Sequence, residues 1–374
     1  MTAIERFQNS ISGNNPSSFF WDCIGYRKET IKQWHKEGLP AKVETGGFLG
    51  QYGKLPYDFF GLDWVNFAPT NFYFSPAFEA KVLKDENRTE IVVDESGVIL
   101  RRSKVSVSMP QYLEYPVKDK ESYESLLFRK DAASSERWLP EVWSKWKQDA
   151  DVFSAPVAVF LIGFFAIIRE LMGVEEGMIA FYDKPRLVRR ILKDHCDFCI
   201  ELVRRTEKKT RIDFCYLWED MSYKNGMLIS PALFEEFITS EATRFIEAMK
   251  MFGVPNTIID SDGDIRELIP LYMNCGANGF LPFEVQAGMD ILLVRKQYPD
   301  LIIIGGIDKL AIARGGEALE KEIDEKLKPM VNHGRYIPSL DHQAHPEMPL
   351  ANYRQYVARV REVLQDACSS VHVT

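Results

Sequence analysis

Five short apolar runs in the second half of the chain end in residues able to carry charge. Asn256 to Asp260 breaks into Ser261-Asp262-Gly263, and Phe214 to Trp218 ends in Glu219-Asp220. Ala277 to Leu281 ends in Pro282-Phe283-Glu284, Leu301 to Ile304 in Gly305-Gly306-Ile307-Asp308-Lys309, and Tyr336 to Leu340 in Asp341-His342. Carboxylates gathered with an imidazole can relay protons, hold a metal, or grip a cation with the help of aromatic faces. His342, Glu284, Asp260 and Glu219 are therefore the candidate catalytic groups. Trp218, Asp220, Tyr223, Asp308, Lys309 and Arg27 are the candidate substrate contacts. Glu219 is expected to face inward because Trp218 breaks the apolar alternation. Asp308-Lys309 reads equally well as a structural ion pair, and Asp264 as a helix cap.

Each run is followed by a helical pattern, and these elements must place the charged ends together. Apolar residues lie on one stripe from Lys184 to Lys208, again from Pro231 to Phe252, and again from Leu350 to Leu364. Pro156 to Ile162 is a continuous apolar run of the kind buried on both faces of a parallel sheet. Strands alternating with helices imply βαβ units, and the favoured solution is a (β/α)₈ TIM barrel with its site at the carboxyl ends of the strands. An open doubly wound sheet is the alternative, but no Gly-x-Gly-x-x-Gly follows a first strand. Alternation on both sides of Glu95-Ser96-Gly97 signals a β-hairpin, so 75–118 reads as an insertion. Residues 1–60, rich in aromatics and weakly periodic, read as an N-terminal extension. The whole chain, 1–374, is expected to form one domain.

Composition narrows the partners. With 374 residues, 46% hydrophobic and 27% charged, the chain can bury a large core. A net charge of −8 and no lysine or arginine cluster argue against nucleic acid and anionic membranes. The longest apolar run, Ala155 to Ile168, is interrupted by Pro156 and Gly163 and is too short to span a bilayer. The polar N-terminus and six scattered cysteines predict a reduced, cytoplasmic setting. His195 and Cys199 fall on a helical apolar stripe and read as core packing.

Several segments together resemble the uroporphyrinogen decarboxylase superfamily. They are Gly163-Phe-Phe-Ala-Ile-Ile-Arg-Glu-Leu-Met-Gly173, Gly226-Met-Leu-Ile-Ser-Pro231, Asp260-Ser-Asp-Gly263, Gly305-Gly-Ile-Asp-Lys309 and Leu340-Asp-His342-Gln-Ala-His-Pro346. The resemblance spans roughly residues 150–370. It implies a (β/α)₈ barrel and an enzyme, either a cofactor-free porphyrinogen decarboxylase or a methyltransferase exchanging methyl groups with corrinoid proteins, coenzyme M or folate. His342 matches the histidine that the decarboxylases carry after their last strand. Their N-terminal arginine-rich segment, however, corresponds here to Cys23-Ile-Gly-Tyr-Arg27-Lys28, with Arg27 the single candidate. The methyltransferases hold zinc through a His-x-Cys-Gly turn and a later cysteine, and here those places read Asp260-Ser-Asp262-Gly263 and Asp341-His342. Zinc or another divalent metal would therefore need the oxygen-rich set Glu219, Asp260, Asp262, Glu284 and His342. The first expectation is methyl transfer from a small methylated substrate or folate to a corrinoid on a separate protein, since no Asp-x-His-x-x-Gly segment is present. The alternative is cofactor-free decarboxylation of a porphyrinogen or smaller carboxylate. Homodimerisation is compatible with either.

Overall fold

The computed structural model describes residues 1–13, 16–44, 55–105, 109–149 and 154–370. Parts of the extension and of the insertion, residues 14–15, 45–54 and 106–108, lie outside the described residues. Seven strands form one sheet: β1 (Asn66–Phe67), β2 (Val157–Ile162), β3 (Phe214–Trp218), β4 (Thr257–Asp260), β5 (Gly279–Leu281), β6 (Ile302–Ile304) and β7 (Tyr336–Ile337). Spatial order equals chain order, and every pairing is parallel. Helical segments separate β2 to β7, as a sheet built of βαβ crossovers requires. β2 is buried along its whole length, which accounts for its unbroken apolar sequence.

Among the described residues the sheet has seven of the eight strands expected. One further segment touches both of its edges. Asp63 N–H donates to Phe20 O at 2.7 Å, and Tyr26 forms a parallel bridge with Ala344. Asp22 anchors this segment: its carboxylate accepts Leu340 N–H (3.0 Å) and the hydroxyls of Tyr353 and Tyr356 from the last helix. Burial pushes the Asp22 carboxyl above its usual range. These bonds tie the N-terminal segment to the end of β7, just before His342.

One face of the sheet carries Phe160, Tyr216 and Asp260, with Phe160 and Tyr216 stacked at 5.2 Å. The other packs on helices, where Cys215 Sγ meets Met249 Sδ. Helix Ala3–Ser12, begun by a Thr2/Glu5 capping box, brings Phe7 onto Phe214 at the start of β3, 5.4 Å away. The expected long helix is present as Pro185–Glu207. The next is broken at Ile238 into Pro231–Phe237 and Thr239–Met251, and the last runs further than expected, Leu350–Ser370. The insertion is larger than a hairpin. Four antiparallel strands, Lys81–Asp85, Thr89–Val93, Ile99–Ser103 and Gln111–Glu114, form a separate sheet around Val92, Val98 and Leu100. Its outer strands are exposed throughout, so they show no alternation for a sequence reading to detect.

Candidate functional site

The strand ends β3, β4, β5 and the turns after β6 and β7 gather most of the expected residues. Asp260 ends β4 and is buried; Tyr216 Oη donates to its Oδ2 at 2.6 Å. Burial, reinforced by the charges of Asp220 and Asp262, pushes the Asp260 carboxyl well above the carboxylate range. Asp220 sits beside it: its backbone N–H donates to Asp260 O, and its Oδ1 accepts Asp262 N–H at 3.4 Å. Asp220 has φ of 42°, a left-handed conformation that aspartate tolerates better than bulky residues.

Asp262 Oδ2 lies 3.3 Å from His342 Nε2. His342 Nδ1 accepts Gln343 N–H at 2.8 Å, so the proton of the neutral ring is on Nε2, facing Asp262. Burial disfavours the imidazolium, but the hydrogen bond and charge of Asp262 outweigh it and raise the His342 pKa. Glu284 follows Phe283, another non-glycine residue at positive φ (61°), and accepts Gly263 N–H at 3.3 Å. Lys309 Nζ is 3.6 Å from Glu284 and 3.2 Å from Asp341. Asp341 is fully buried and accepts the backbone N–H groups of Val285 and Lys309, so it fixes both turns to each other. Gly263 is required by close approach: at φ 82° a Cβ there would lie 2.7 Å from the Tyr223 backbone.

Five expected residues take other places or roles. Glu219 is buried and faces away from Asp260. Its carboxylate accepts the N–H groups of Phe165 and Ala166 at the start of helix Phe164–Met172, and the Tyr272 hydroxyl. The alternation is in fact unbroken: Tyr216 and Trp218 share one face, which sends Glu219 to the helical side. Asp308 caps helix Lys309–Arg314 through Leu310 N–H and bonds Gln286, leaving Lys309 to reach the cluster. Arg27 is exposed at the start of helix Lys28–Lys36. Tyr223 lies half-exposed in a two-stranded hairpin over Gly263. Asp264 is bonded to Arg266 two residues on and caps no helix directly.

Sequence reasoning missed Arg169. Its guanidinium lies over the Trp218 ring at 4.8 Å, donates to Asp220 O and is 3.5 Å from the Asp220 carboxylate. A lone cation in the apolar run from Gly163 to Ile168 and beyond was the available signal. With Arg169, Lys309 and His342 each beside a carboxylate, the cluster is nearer to charge balance than the count of acids suggests. The five-residue ligand set does not fit a preformed metal centre. Glu219 faces the helix, Asp260 is held by Tyr216, and among the described residues no three His, Cys, Asp or Glu side chains converge as a metal-binding group.

Glu219 gives a pH-dependent prediction. Burial, working against the hydrogen bonds from Tyr272, Phe165 and Ala166, raises its pKa to about 7 from 4.5. The unfolded chain then releases this proton first. Stability from this group is present below pH 4.5 and fades as pH rises to about 7, by roughly 3 kcal/mol. Glu219→Gln carries no such proton. Its melting temperature relative to the wild type is therefore expected to rise between pH 5 and pH 8; a constant difference would show that Glu219 is ionised throughout.

Comparison with known proteins places this arrangement. The profile of the uroporphyrinogen decarboxylase (URO-D) family matches residues 105–363, well over half of the chain. Uroporphyrinogen decarboxylases of Maricaulis maris and Caulobacter vibrioides are 27% and 29% identical over 131 and 132 residues. Each match covers 35% of this chain and 37% of the relative, so the similarity spans little more than a third of those curated proteins. Among solved structures, a methyltransferase from Methanosarcina mazei superposes with a TM-score of 0.64 at 14% identity, covering 97% of this chain and 99% of that one. That likeness is one of fold. By the extent of the family match, the chain belongs to the uroporphyrinogen decarboxylase family.

Proposed function

We propose that this chain is a methyltransferase that removes a methyl group from a small methylated substrate, or from folate, and passes it to a corrinoid held by a separate protein. In the same reading, residues 20–26 close the sheet as the eighth stave of a (β/α)₈ barrel. The carrying observation is Asp260, a carboxyl buried at the end of β4 where burial and the charges of Asp220 and Asp262 disfavour ionisation. The fold of the Methanosarcina mazei methyltransferase supports the reading.

A methyl bound to oxygen or nitrogen leaves only if the heteroatom can accept the electron pair that stays behind. As the carbon–heteroatom bond breaks and the bond from carbon to the acceptor forms, the Asp260 proton passes to the leaving atom and Asp260 becomes the carboxylate. The corrinoid supplies the methyl acceptor. Tyr216 stays hydrogen-bonded to Asp260 and stabilises that carboxylate. Asp262 and His342, with side chains 39% and 23% exposed, connect the pocket to water and return the proton. Trp218, held under Arg169, offers an aromatic wall for the substrate.

The second reading, decarboxylation, draws on the curated relatives and on Arg169 and Lys309, which could receive one carboxylate of a small acid. There the C–CO₂ bond breaks and His342 or Asp262 delivers a proton to the resulting carbanion. The two separate in one assay. Purified protein is given free cob(I)alamin and, in turn, methoxyarenes, quaternary methylamines and methyltetrahydrofolate, with methylcobalamin followed by its absorbance. Methylcobalamin formed with one donor class is expected. No methyl transfer from any donor, together with CO₂ release from a porphyrinogen or smaller acid, would establish the second reading instead.

A further inference from the structure

A cavity of about 770 Å³ lies between the antiparallel sheet of the insertion and the helices Phe164–Met172 and Pro185–Glu207. Its walls include Phe72, Phe74, Ile162 and Leu171, and four basic groups line it: Lys81 and Arg102 from the insertion, and Lys130 and His195. It is separate from the strand-end cluster: none of Asp220, Asp260, Asp262, Glu284, Lys309 or His342 lines it. The helix Phe164–Met172 divides them, with Arg169 at the cluster and Glu170 at the cavity.

The bonding at Lys130 is defined. His195 Nε2 is 2.8 Å from Ile162 O, an acceptor only, so Nε2 carries the ring proton and donates. His195 Nδ1 is therefore a lone pair, and Lys130 Nζ donates to it at 3.3 Å. The ring is neutral and cannot balance the ammonium. Among the described residues no carboxylate comes within salt-bridge distance of Lys130. Of the three acids on the cavity wall, Asp94 accepts Ser96 and Val98 N–H within its own turn, Glu170 is 3.8 Å from Arg169, and Glu95 makes no ion pair with Lys130. Arg137, a cation close enough to act on Lys130, is held by the backbone carbonyls of Asn71, Tyr73, Arg129 and Asp131. Lys130 Nζ is also 5.3 Å from the Phe198 ring centroid. A half-buried ammonium with a single neutral partner, facing an aromatic-walled cavity, lacks a counter-anion.

We infer that this cavity is a second binding site, taking a small aromatic oxyanion, a carboxylate or phenolate, with its ring between Phe72 and Phe74 and its charged oxygen on Lys130. Burial lowers the Lys130 pKa to about 8, with Arg137 acting in the same direction and Cys199 and Asp194 against it; the amine is still mostly cationic at pH 7. The ligand oxygen would replace the missing carboxylate, and His195 would keep the amine aimed at it. The insertion, absent from a minimal parallel barrel, supplies one wall of the site.

Benzoate is the probe, with benzyl alcohol as its neutral counterpart, titrated calorimetrically into the full chain at pH 7. Wild type is expected to bind benzoate, and Lys130→Met to bind it roughly 10- to 100-fold more weakly, with benzyl alcohol changed little. Ala80→Trp, at the exposed rim of the cavity, is expected to block benzoate while keeping Lys130 and leaving the core untouched. It tests the site even if Lys130→Met fails to fold. Lys309→Met locates the ligand: loss of binding in that variant, with Ala80→Trp unaffected, would place benzoate at the strand-end cluster and overturn the inference. Absence of benzoate binding by folded wild type would overturn it as well.

Discussion

Asp260→Asn is expected to lower the turnover number by roughly 10²- to 10⁴-fold, the range lost when a positioned proton donor is removed. Asparagine keeps the size of the side chain and an oxygen to accept the Tyr216 hydroxyl, so folding should be preserved. What disappears is the acidic proton. The loss should depend on the leaving group: a quaternary amine that departs neutral needs no proton and should lose least, whereas a methoxy substrate should lose most. Tyr216→Phe removes only the bond to Asp260 Oδ2 and should cost less, roughly tenfold, by weakening the support for the carboxylate once it has formed. Stopped assays of the two variants with both donor types check this. Equal rates in Asp260→Asn and wild type on a methoxy substrate would remove Asp260 from the chemistry.

Gly163→Ala is expected to be strongly destabilising. Gly163 follows β2, and a Cβ there would lie 1.8 Å from Glu219 Oε2 and 2.9 Å from Trp218 O. The carboxylate would have to leave the N-terminus of helix Phe164–Met172, stranding the N–H groups of Phe165 and Ala166 and the hydroxyl of Tyr272 in the core. Overpacking and lost buried hydrogen bonds each cost about 1–3 kcal/mol, so about 3 kcal/mol or more is expected. Urea unfolding reads this directly. The double variant Gly163→Ala with Glu219→Ala should recover part of the loss, because the clash goes with the carboxylate; an unchanged double variant would show that the backbone of Trp218 is the obstacle.

The reach of the sequence follows from which signals are local. Strands β3 and β4 were legible nearly to the residue, because each is a buried apolar run ending at a charged turn. Asp260, Asp262, Glu284, Lys309 and His342 were legible for the same reason: a parallel sheet puts the ends of successive strands side by side. Glu219 was misjudged because two carboxylates in a row cannot both face the pocket. Only the alternation set by Tyr216 decides between them, and the aromatic Trp218 obscured it. Asp308 was a cap, a role that a carboxylate just before a helix fills without further chemistry. The partners of Arg169 and Lys130 were illegible because they are distant in sequence, Asp220 and His195. His195 looked like core, and it is buried, yet its second nitrogen holds a lysine brought in from 65 residues upstream. The outer strands of the insertion gave no pattern because neither face of them is covered.

The proposed transfer requires Asp260 to carry a proton at neutral pH in the resting protein. Infrared difference spectroscopy between wild type and Asp260→Asn at pH 7 tests it without a substrate. The account predicts a protonated-carboxyl stretch in the wild type that is absent from the variant and shifts in heavy water. A difference spectrum containing only ionised-carboxylate bands for Asp260 would contradict it.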